Sequence, residues 1–295
     1  MGHSALRKKN TVGLSGAISE AVWRTPSPSN KLNAKPAASR KPANPIRLDY
    51  RRPRLCKNIS VTRTLSTIVL VSCAALHAQT PRYEVKRAAK PIVVDGKIDA
   101  GEWAAAGKVE FGFPWDFQTG AKQKTTARLL WDDEFLYVSY DCDDTDITAQ
   151  FTQRDDPTYR DDAVEIFINP VPSQIAVYYG LEMNVRAVLY DYFAVNAKHF
   201  LKRFQFDGVQ LATDIRGTLN MNGDKDNGWS LEVAIPWRNF EERASRPTPG
   251  VVWTANLNRW DGTEPNRRLS MWTNPQEPKP WPHKPERFGE LVFVK

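Results

Sequence analysis

An aromatic side chain and a carboxylate stand six residues apart in the stretch RDDPTYRDDAVEIFINP, residues 154–170. From residue 163 onward the pattern VEIFI is rich in β-branched and aromatic residues, which is typical of a strand. Because side chains alternate along a strand, Glu165 and Phe167 share one face. A ring such as Tyr159 can cover the apolar C–H face of a sugar, and a carboxylate such as Glu165 can accept hydroxyl protons. The stretch therefore indicates a saccharide-binding surface; the alternative is that Tyr159 is a loop aromatic and Glu165 an exposed edge residue.

An acidic loop, DCDDTD at residues 141–146, is a second place where chemistry is conceivable. Carboxylate oxygens are the ligands that Ca²⁺ prefers, so Asp141, Asp143 and Asp144 are candidate metal ligands. The spacing is not that of an EF-hand, because it has no Gly at the sixth position and no Glu at the twelfth. The alternative interpretation is a charged loop in solvent.

Alternating apolar and polar segments predict the strands that would position these residues. TTARLLW and EFLYVSYDC flank a two-residue turn and predict a hairpin. Both faces of the second segment are apolar, which fits a strand inside a sandwich. Other predicted strands lie at 177–194, where two strands flank a turn, and at 208–214, 217–223, 228–237 and 251–260. The sequence therefore predicts an all-β protein, an antiparallel β-sandwich with short helical turns in its loops.

The formal net charge of +7 comes from one part of the chain. The first 78 residues hold 14 of the 41 Lys and Arg residues but only 2 of the 34 Asp and Glu residues, which leaves the other 217 residues with a net charge of −5. A nucleic-acid-binding protein needs basic residues clustered on a folded face, so we do not expect nucleic acid as a partner. A segment of this length is sufficient for one domain with a substantial core.

The first 78 residues have the composition of a leader rather than of a folded domain. Residues 1–60 are basic and poor in apolar residues, which predicts disorder. One hypothesis is that translation starts near Val61 and that residues 1–60 are not natural coding sequence. Residues 61–78 combine a basic residue, an apolar run and a small-residue site for cleavage after Ala78, as in a secretory signal peptide. The apolar run is too short for a transmembrane span. We therefore expect a secreted or periplasmic protein with one domain at 79–295. The alternative is an outer-membrane lipoprotein anchored at Cys73, because LVSC resembles a lipobox.

Seven separated segments follow one another along the chain: DGKIDAGEW, LLWDDEFLYVSY, the 159–167 core, YYGLEMN, GWSLEVAIPW, ANLNR and PERFGELVF. In this order they resemble the family 9 carbohydrate-binding modules found on bacterial xylanases, and the resemblance covers about residues 85–295. It implies a jelly-roll sandwich that binds the ends of plant-type polysaccharides or oligosaccharides, of the xylan and cellulose class, without catalysing a reaction. It also implies structural calcium. One departure is that Tyr159 stands where the family usually has Trp.

The resemblance also implies further site residues. The family places a second stacking aromatic and a nearby Asn in the Pro-rich loop near the C-terminus. Trp272 and Trp281 are both candidates for the aromatic, and the spacing does not choose between them; Asn274 is the candidate amide. Asn184 and Arg186, near the end of YYGLEMN, are donors that could reach a sugar hydroxyl, although Arg186 could equally be a cation of the turn.

Two other classes of function are compatible with the same architecture. Motifs for serine hydrolases, zinc proteases and phosphate-binding loops are missing from the sequence, and a glycosidase would need a second carboxylate to act with Glu165. A haem-binding electron-transfer module could use Met183 with His199 or His283 as axial ligands. A purely structural module of the cell envelope is a third possibility. The sequence leaves the oligomeric state open.

Overall fold

The computed structural model describes residues 80–295. These residues form thirteen β-strands and three single turns of 3₁₀-helix, at Thr158–Arg160, Trp237–Phe240 and Pro285–Arg287. The predicted leader, signal peptide, cleavage site after Ala78 and anchor at Cys73 all lie outside the described residues. The strands are β1 (Arg82–Arg87), β2 (Val109–Glu110), β3 (Thr125–Trp131), β4 (Phe135–Cys142), β5 (Ala163–Asn169), β6 (Tyr178–Asn184), β7 (Leu189–Asn196), β8 (His199–Leu201), β9 (Gln210–Ile215), β10 (Trp229–Pro236), β11 (Val252–Asp261), β12 (Arg268–Met271) and β13 (Gly289–Phe293).

The strands build two sheets that share β1. The first sheet has the order β8-β7-β6-β5-β11-β13-β1, and the second has the order β1-β3-β4-β10-β9; β12 pairs with β11, and β2 with β3. Residues 82–85 pair with β13 in the first sheet, and residues 86–87 pair with β3 in the second. These two pairings are parallel, and the other pairings between these strands are antiparallel. The predicted antiparallel sandwich is confirmed, with the two parallel pairs at β1 as its exception.

The main core lies between the two sheets. Val164, Ile166 and Ile168 point inward from β5, and they join a continuous buried cluster with β10 residues such as Leu231 and Val233. Burying one such aliphatic side chain stabilises the fold by about 1.5–3 kcal/mol. Each of these strands turns one face to the core, and this is the reason why apolar residues alternate along its sequence.

The outer face of the first sheet carries a second apolar cluster, which includes Phe167, Tyr178, Tyr192 and Phe288. Gly180 lies on this face of β6, opposite Tyr192 of β7. A Cβ atom at Gly180 would lie only 2.2 Å from the ring of Tyr192, so the absence of a side chain lets this ring lie flat over the sheet. This aromatic layer is the floor on which the candidate site is built.

One predicted strand is wrong. Residues 217–223 form turns, although their alternating pattern predicts a strand. Asn220 adopts a left-handed conformation with φ of 60°. Its side chain accepts a hydrogen bond from the Ala149 amide and donates one to the Ala149 carbonyl, each at 2.8 Å. The amide side chain thus takes the place of a backbone pairing.

Among residues 80–295 we find no helix with the length and apolarity needed to cross a bilayer.

Candidate functional site

A cavity of about 470 Å³ opens on the outer face of the first sheet. Its walls combine aromatic rings with two carboxylates, two cations and an imidazole. The aromatic residues are Tyr159, Tyr190, Tyr192, Phe200, Trp260 and Trp281. The volume lies in the range of sites that bind small organic ligands.

Register between four neighbouring strands places the polar groups of the cavity in a row. Asn258 of β11 pairs with Glu165 of β5, and Glu165 pairs with Glu182 of β6. Glu182 in turn pairs with Tyr190 of β7. Directly opposed residues in a sheet share a face, so all four side chains point outward from the core. The sheet therefore fixes the spacing of these groups by backbone pairing rather than by loops.

Glu165 is held at the base of the cavity by an amide. The Asn258 side-chain nitrogen donates a hydrogen bond to Glu165 Oε2 at 3.1 Å, and the two residues are 0% and 1% exposed. Burial raises the pKa of Glu165 to about 7. The Oδ1 atom of Asn258 is buried and accepts no hydrogen bond within the described part of the chain. Glu165 lines the cavity and is available to accept hydroxyl protons, whereas Asn258 lies behind it and holds its carboxylate in place.

Glu182 is a second buried carboxyl beside the first. The Tyr192 hydroxyl donates to Glu182 Oε1 at 2.8 Å, while Oε2 is buried without a partner among residues 80–295. Burial, together with the negative charge of Glu165, raises the pKa of Glu182 well above its usual range. Two adjacent carboxyls that are both out of water are not both ionised at neutral pH. At least one of them therefore offers a proton as well as an acceptor.

Tyr159 stands at one side of the cavity, on the 3₁₀ turn Thr158–Arg160. The Thr158 hydroxyl anchors this turn by donating to the Glu182 backbone carbonyl at 3.0 Å. The Arg267 guanidinium donates to the Tyr159 carbonyl and lies over the Trp260 ring, 4.4 Å from its centroid. The Tyr159 ring is half-buried, with its centroid 5.9 Å from that of Tyr190. It is thus held in place while one part of it remains accessible.

Trp281 lies in the Pro-rich loop and is 39% exposed. Its ring centroid is 4.6 Å from that of His283, which in turn stacks on Phe167 at 4.8 Å. Burial lowers the pKa of His283 to about 3, so its imidazole is neutral at physiological pH. The structure therefore brings together Tyr159, Glu165 and Trp281, three of the seven residues predicted for the saccharide site.

Trp272 and Asn274 do not line this cavity. Trp272 is half-buried and packs against the core between the sheets, and its ring occupies the space where a Cβ of Gly289 would lie. Asn274 is exposed, and its side-chain oxygen accepts a hydrogen bond from the Gln276 amide at 2.8 Å. The path of the loop thus selects Trp281 over Trp272 as the aromatic of the cavity, and Asn274 shapes a turn.

Asn184 and Arg186 also lie outside the cavity, because they hold the β6–β7 turn. The Asn184 side-chain nitrogen donates to the Phe151 carbonyl at 2.9 Å and to the Asp161 carboxylate at 2.8 Å. Its oxygen accepts from two backbone amides of the turn. Arg186 is exposed and donates to the Ala149 carbonyl at 3.1 Å. With every polar atom of its side chain engaged, Asn184 has nothing left to offer a ligand.

Several cavity residues escape the sequence analysis. Glu182, Tyr190 and Tyr192 come from strands that were predicted, but their position beside Glu165 depends on which strands pair. Lys202 belongs to a segment whose sequence shows no interpretable pattern. Arg267 precedes β12 in a stretch without a motif. The register between β5 and β6 was the one available signal, because it would place the glutamate of YYGLEMN directly opposite Glu165.

The residues do not fit a haem site. Met183 is fully buried between the two sheets, whereas His283 lies on the outer face of the first sheet. The Nδ1 atom of His283 is hydrogen-bonded to the Tyr178 hydroxyl at 2.8 Å. His199 is exposed at the start of β8. A methionine and a histidine on opposite faces of one sheet cannot ligate the same iron.

The three carboxylates predicted for calcium do not converge on one point. Asp141 forms an ion pair with Arg216 at 2.9 Å. Asp143 is exposed, whereas Asp144 is buried. The acidic loop therefore sends its side chains in different directions, and the residues present do not fit a calcium ion held by this trio.

Asp144 instead joins Asp162 and Asp261 in a buried cluster whose carboxylate oxygens lie within 4.8 Å of one another. The guanidinium of Arg259, itself 0% exposed, lies 2.9 Å from both Asp144 and Asp261. Burial and the nearby carboxylates raise the pKa of Asp162 to about 7. Arg259 thus supplies positive charge at a place where carboxylates would otherwise require a cation.

The comparisons with known proteins agree with this architecture. The family model described as "Carbohydrate family 9 binding domain-like" matches residues 94–295. The exoglucanase XynX of Acetivibrio thermocellus is 29% identical over 146 residues, which are 49% of this chain and 11% of the relative. An endo-1,4-beta-xylanase A of Thermoanaerobacterium saccharolyticum is 24% identical over 204 residues, which are 68% of this chain and 15% of the relative. The chain thus matches a small part of each of these long relatives.

Two solved structures share the fold. A putative carbohydrate-binding protein from Bacteroides uniformis has a TM-score of 0.60 at 16% identity, with 72% of this chain and 99% of that chain covered. A family 9 module from Caldicellulosiruptor kristjanssonii, solved in complex with glucose, has a TM-score of 0.50 at 19% identity, with 72% and 95% covered. The family model spans more than half of the sequence, and the predicted resemblance is confirmed: the chain belongs to the carbohydrate family 9 binding domain-like family.

Proposed function

We propose that this protein binds the ends of plant-type polysaccharides or oligosaccharides, of the xylan and cellulose class, and that it does so without catalysing their cleavage. The observation that carries the proposal is the cavity on the first sheet, where Tyr159 and Trp281 lie beside the carboxylate of Glu165, which Asn258 holds from behind. Such a protein would support polysaccharide degradation by holding its substrate.

The aromatic walls suit the apolar faces of a pyranose ring. Tyr159 is held by its turn and by Arg267, and Trp281 rests against His283, so neither ring has to be ordered when a ligand binds. Side chains that are fixed beforehand lose less conformational entropy on binding. A tyrosine offers a smaller platform than the tryptophan usual in the family, so we expect Trp281 to provide more of the stacking energy.

The polar base of the cavity suits the hydroxyl groups of a sugar. Glu165 and Glu182 both line it, and Glu182 Oε2 is buried without a partner in the described structure. A buried acceptor left unsatisfied costs about 1–3 kcal/mol, and a ligand hydroxyl would recover this energy. Because burial keeps at least one of the two carboxyls protonated near neutral pH, the pair can both accept and donate hydrogen bonds.

The relatives support the same class of ligand. The structural neighbour from Caldicellulosiruptor kristjanssonii is described with glucose bound, and the relatives matched by sequence are named as an exoglucanase and a xylanase. Their names supply the ligand class that we test for this chain.

The test is calorimetric titration with xylo- and cello-oligosaccharides and with the same sugars reduced at one end. Reduction opens the terminal ring, so an end-binding site should lose affinity. Trp281→Ala is expected to weaken binding about fivefold to tenfold, because ring stacking contributes on the order of 1 kcal/mol beyond buried area. Trp272→Phe is the matched control, and its affinity should equal that of the wild type. Absence of binding to every saccharide by folded wild-type protein would refute the proposal.

We also propose that the protein acts outside the cytoplasm, on the basis of the signal-like residues 61–78. Mass measurement of the protein from its native host distinguishes the two routes. A chain that begins at Gln79 corresponds to a secreted or periplasmic form, and an acylated chain that begins at Cys73 corresponds to a lipoprotein. A native chain that retains residues 1–60 would contradict both.

A further inference from the structure

A second cavity, of about 750 Å³, lies at the edge of the first sheet. Tyr179 of β6 pairs with Phe193 of β7, and Phe193 pairs with Leu201 of β8. These three residues share the inner face of the sheet, opposite the face that carries the saccharide cavity. Leu201 is 53% exposed because β8 is the outermost strand of the sheet and its inner face is open.

The apolar wall of the second cavity consists of aromatic rings. The Tyr179 centroid lies 5.1 Å from that of Phe193 and 5.1 Å from that of Phe204. All three rings line the cavity. Such a wall can contact the C–H groups of a sugar ring, as in the first cavity.

The charged groups around the second cavity are predominantly cationic. Arg203 and Arg243 line it together with one carboxylate, that of Glu242. Lys202 also lines it, but its ammonium group lies 5.4 Å from the Tyr190 ring centroid in the first cavity. The guanidinium of Arg243 lies over the Phe193 ring, 5.1 Å from its centroid, and donates to the Gln174 side chain. The Nε atom of Arg243 is buried and has no hydrogen-bond partner in the described part of the chain. A buried N–H without an acceptor is costly, so this atom points to an absent acceptor.

The two cavities share residues. Phe200 and Lys202 line both of them. The Phe200 centroid lies 4.9 Å from those of Tyr192 and His283 in the first cavity. Lys202 directly follows β8. One extended ligand can therefore reach both cavities by passing around the end of this short strand.

We propose that the second cavity binds an acidic sugar residue, a hexuronate, on the same saccharide whose end occupies the first cavity. This inference rests on the proposed function. A uronate has an apolar ring face for the aromatic wall and a carboxylate for the guanidinium groups, and arginine pairs with carboxylates by two parallel hydrogen bonds. A neutral sugar would leave the excess positive charge and the Arg243 Nε without an acceptor.

The test compares two ligands of equal backbone length, a neutral xylo-oligosaccharide and one that carries a glucuronate branch. Wild-type protein is expected to bind the acidic ligand about tenfold more tightly, which is the effect of one charge-assisted hydrogen-bonded contact. The double variant Arg203→Gln, Arg243→Gln should lose this preference and keep the wild-type affinity for the neutral ligand, which also shows that it is folded. The matched control is Arg246→Gln, which removes a nearby cation that lies outside the cavity and pairs with Asp133; it should keep the preference.

The outcomes separate this inference from the proposed function. Equal affinity of the wild type for the two ligands would overturn the second site and leave end binding intact. A preference for the acidic ligand that survives in the double variant would also overturn the assignment to this cavity. If the wild type binds neither ligand, the second site is overturned, and the proposed function is then decided by the titration with cello-oligosaccharides. A preference present in the wild type and lost only in the double variant supports the second site.

Discussion

Replacing Glu165 by Gln should make the stability of the protein less dependent on pH. The Glu165 carboxyl is 1% exposed, and burial raises its pKa from 4.5 to about 7. Gln keeps the shape and can still accept the hydrogen bond from Asn258, but it does not titrate. The charged groups closest to this carboxyl are Glu182, which disfavours its ionisation, and Arg267, which favours it.

The sign follows from the two pKa values. Between pH 4.5 and pH 7 the folded state keeps the Glu165 proton, whereas the unfolded state has lost it. Stability from this group is therefore fully present below pH 4.5 and is lost as the pH rises through 7. A difference of 2.5 pKa units corresponds to about 3–4 kcal/mol, since one unit is about 1.4 kcal/mol. The stability of Glu165→Gln relative to the wild type should rise by that amount between pH 4.5 and pH 8.

Urea denaturation at a series of pH values measures this difference directly. The comparison cancels the contributions of buried carboxyls such as Asp162 and Asp191, whose pKa values burial also raises. It does not cancel that of Glu182, because the charge of Glu165 raises the pKa of Glu182. Glu84→Gln, at an exposed position of β1, is the matched control and should follow the wild-type profile. A Glu165→Gln stability difference that stays constant from pH 4.5 to pH 8 would refute the reasoning, because Glu165 would then titrate alike in both states.

Two further changes test the framework of the site. Gly180→Ala should lower the free energy of unfolding by about 1–3 kcal/mol, because its Cβ would collide with the Tyr192 ring. Gly112→Ala is the control, because a Cβ at Gly112 would lie in open space. An equal loss of stability in the two variants would contradict this prediction. Arg259→Gln should lower the free energy of unfolding by about 3 kcal/mol or more, because three buried carboxylates lose their cation. Calcium should then raise the melting temperature of this variant more than that of the wild type; an equal response would contradict the role of Arg259.

The sandwich can be predicted from the sequence because several of its strands carry an apolar residue at every second position. Val164, Ile166 and Ile168 show this most clearly, since an inward apolar residue every second position is the condition for burying one face of β5. The strand predicted at residues 217–223 does not form, although the sequence alternates there too. An alternating pattern there is overridden by one side-chain contact, from Asn220 to the backbone of Ala149, which is remote in sequence.

The site could be predicted only where its residues are close in sequence. Tyr159 and Glu165 belong to one short motif, and the structure places both in the cavity. Glu182 reaches Glu165 through strand pairing, which the sequence of either strand alone does not specify. The choice between Trp272 and Trp281 depends on the course of a loop, for which no periodic pattern exists.

The sharing of β1 between the two sheets has a consequence for the order of folding. β1 is the first strand of the described chain, and its neighbour β13 is the last, so neither the closed first sheet nor its junction with the second exists until the final strand has been synthesised. Such pairing between remote segments slows folding, because a long loop must close first. A chain that is still emerging from the ribosome therefore exposes the edges of its unfinished sheets. The domain thus closes only once the last of its strands is available.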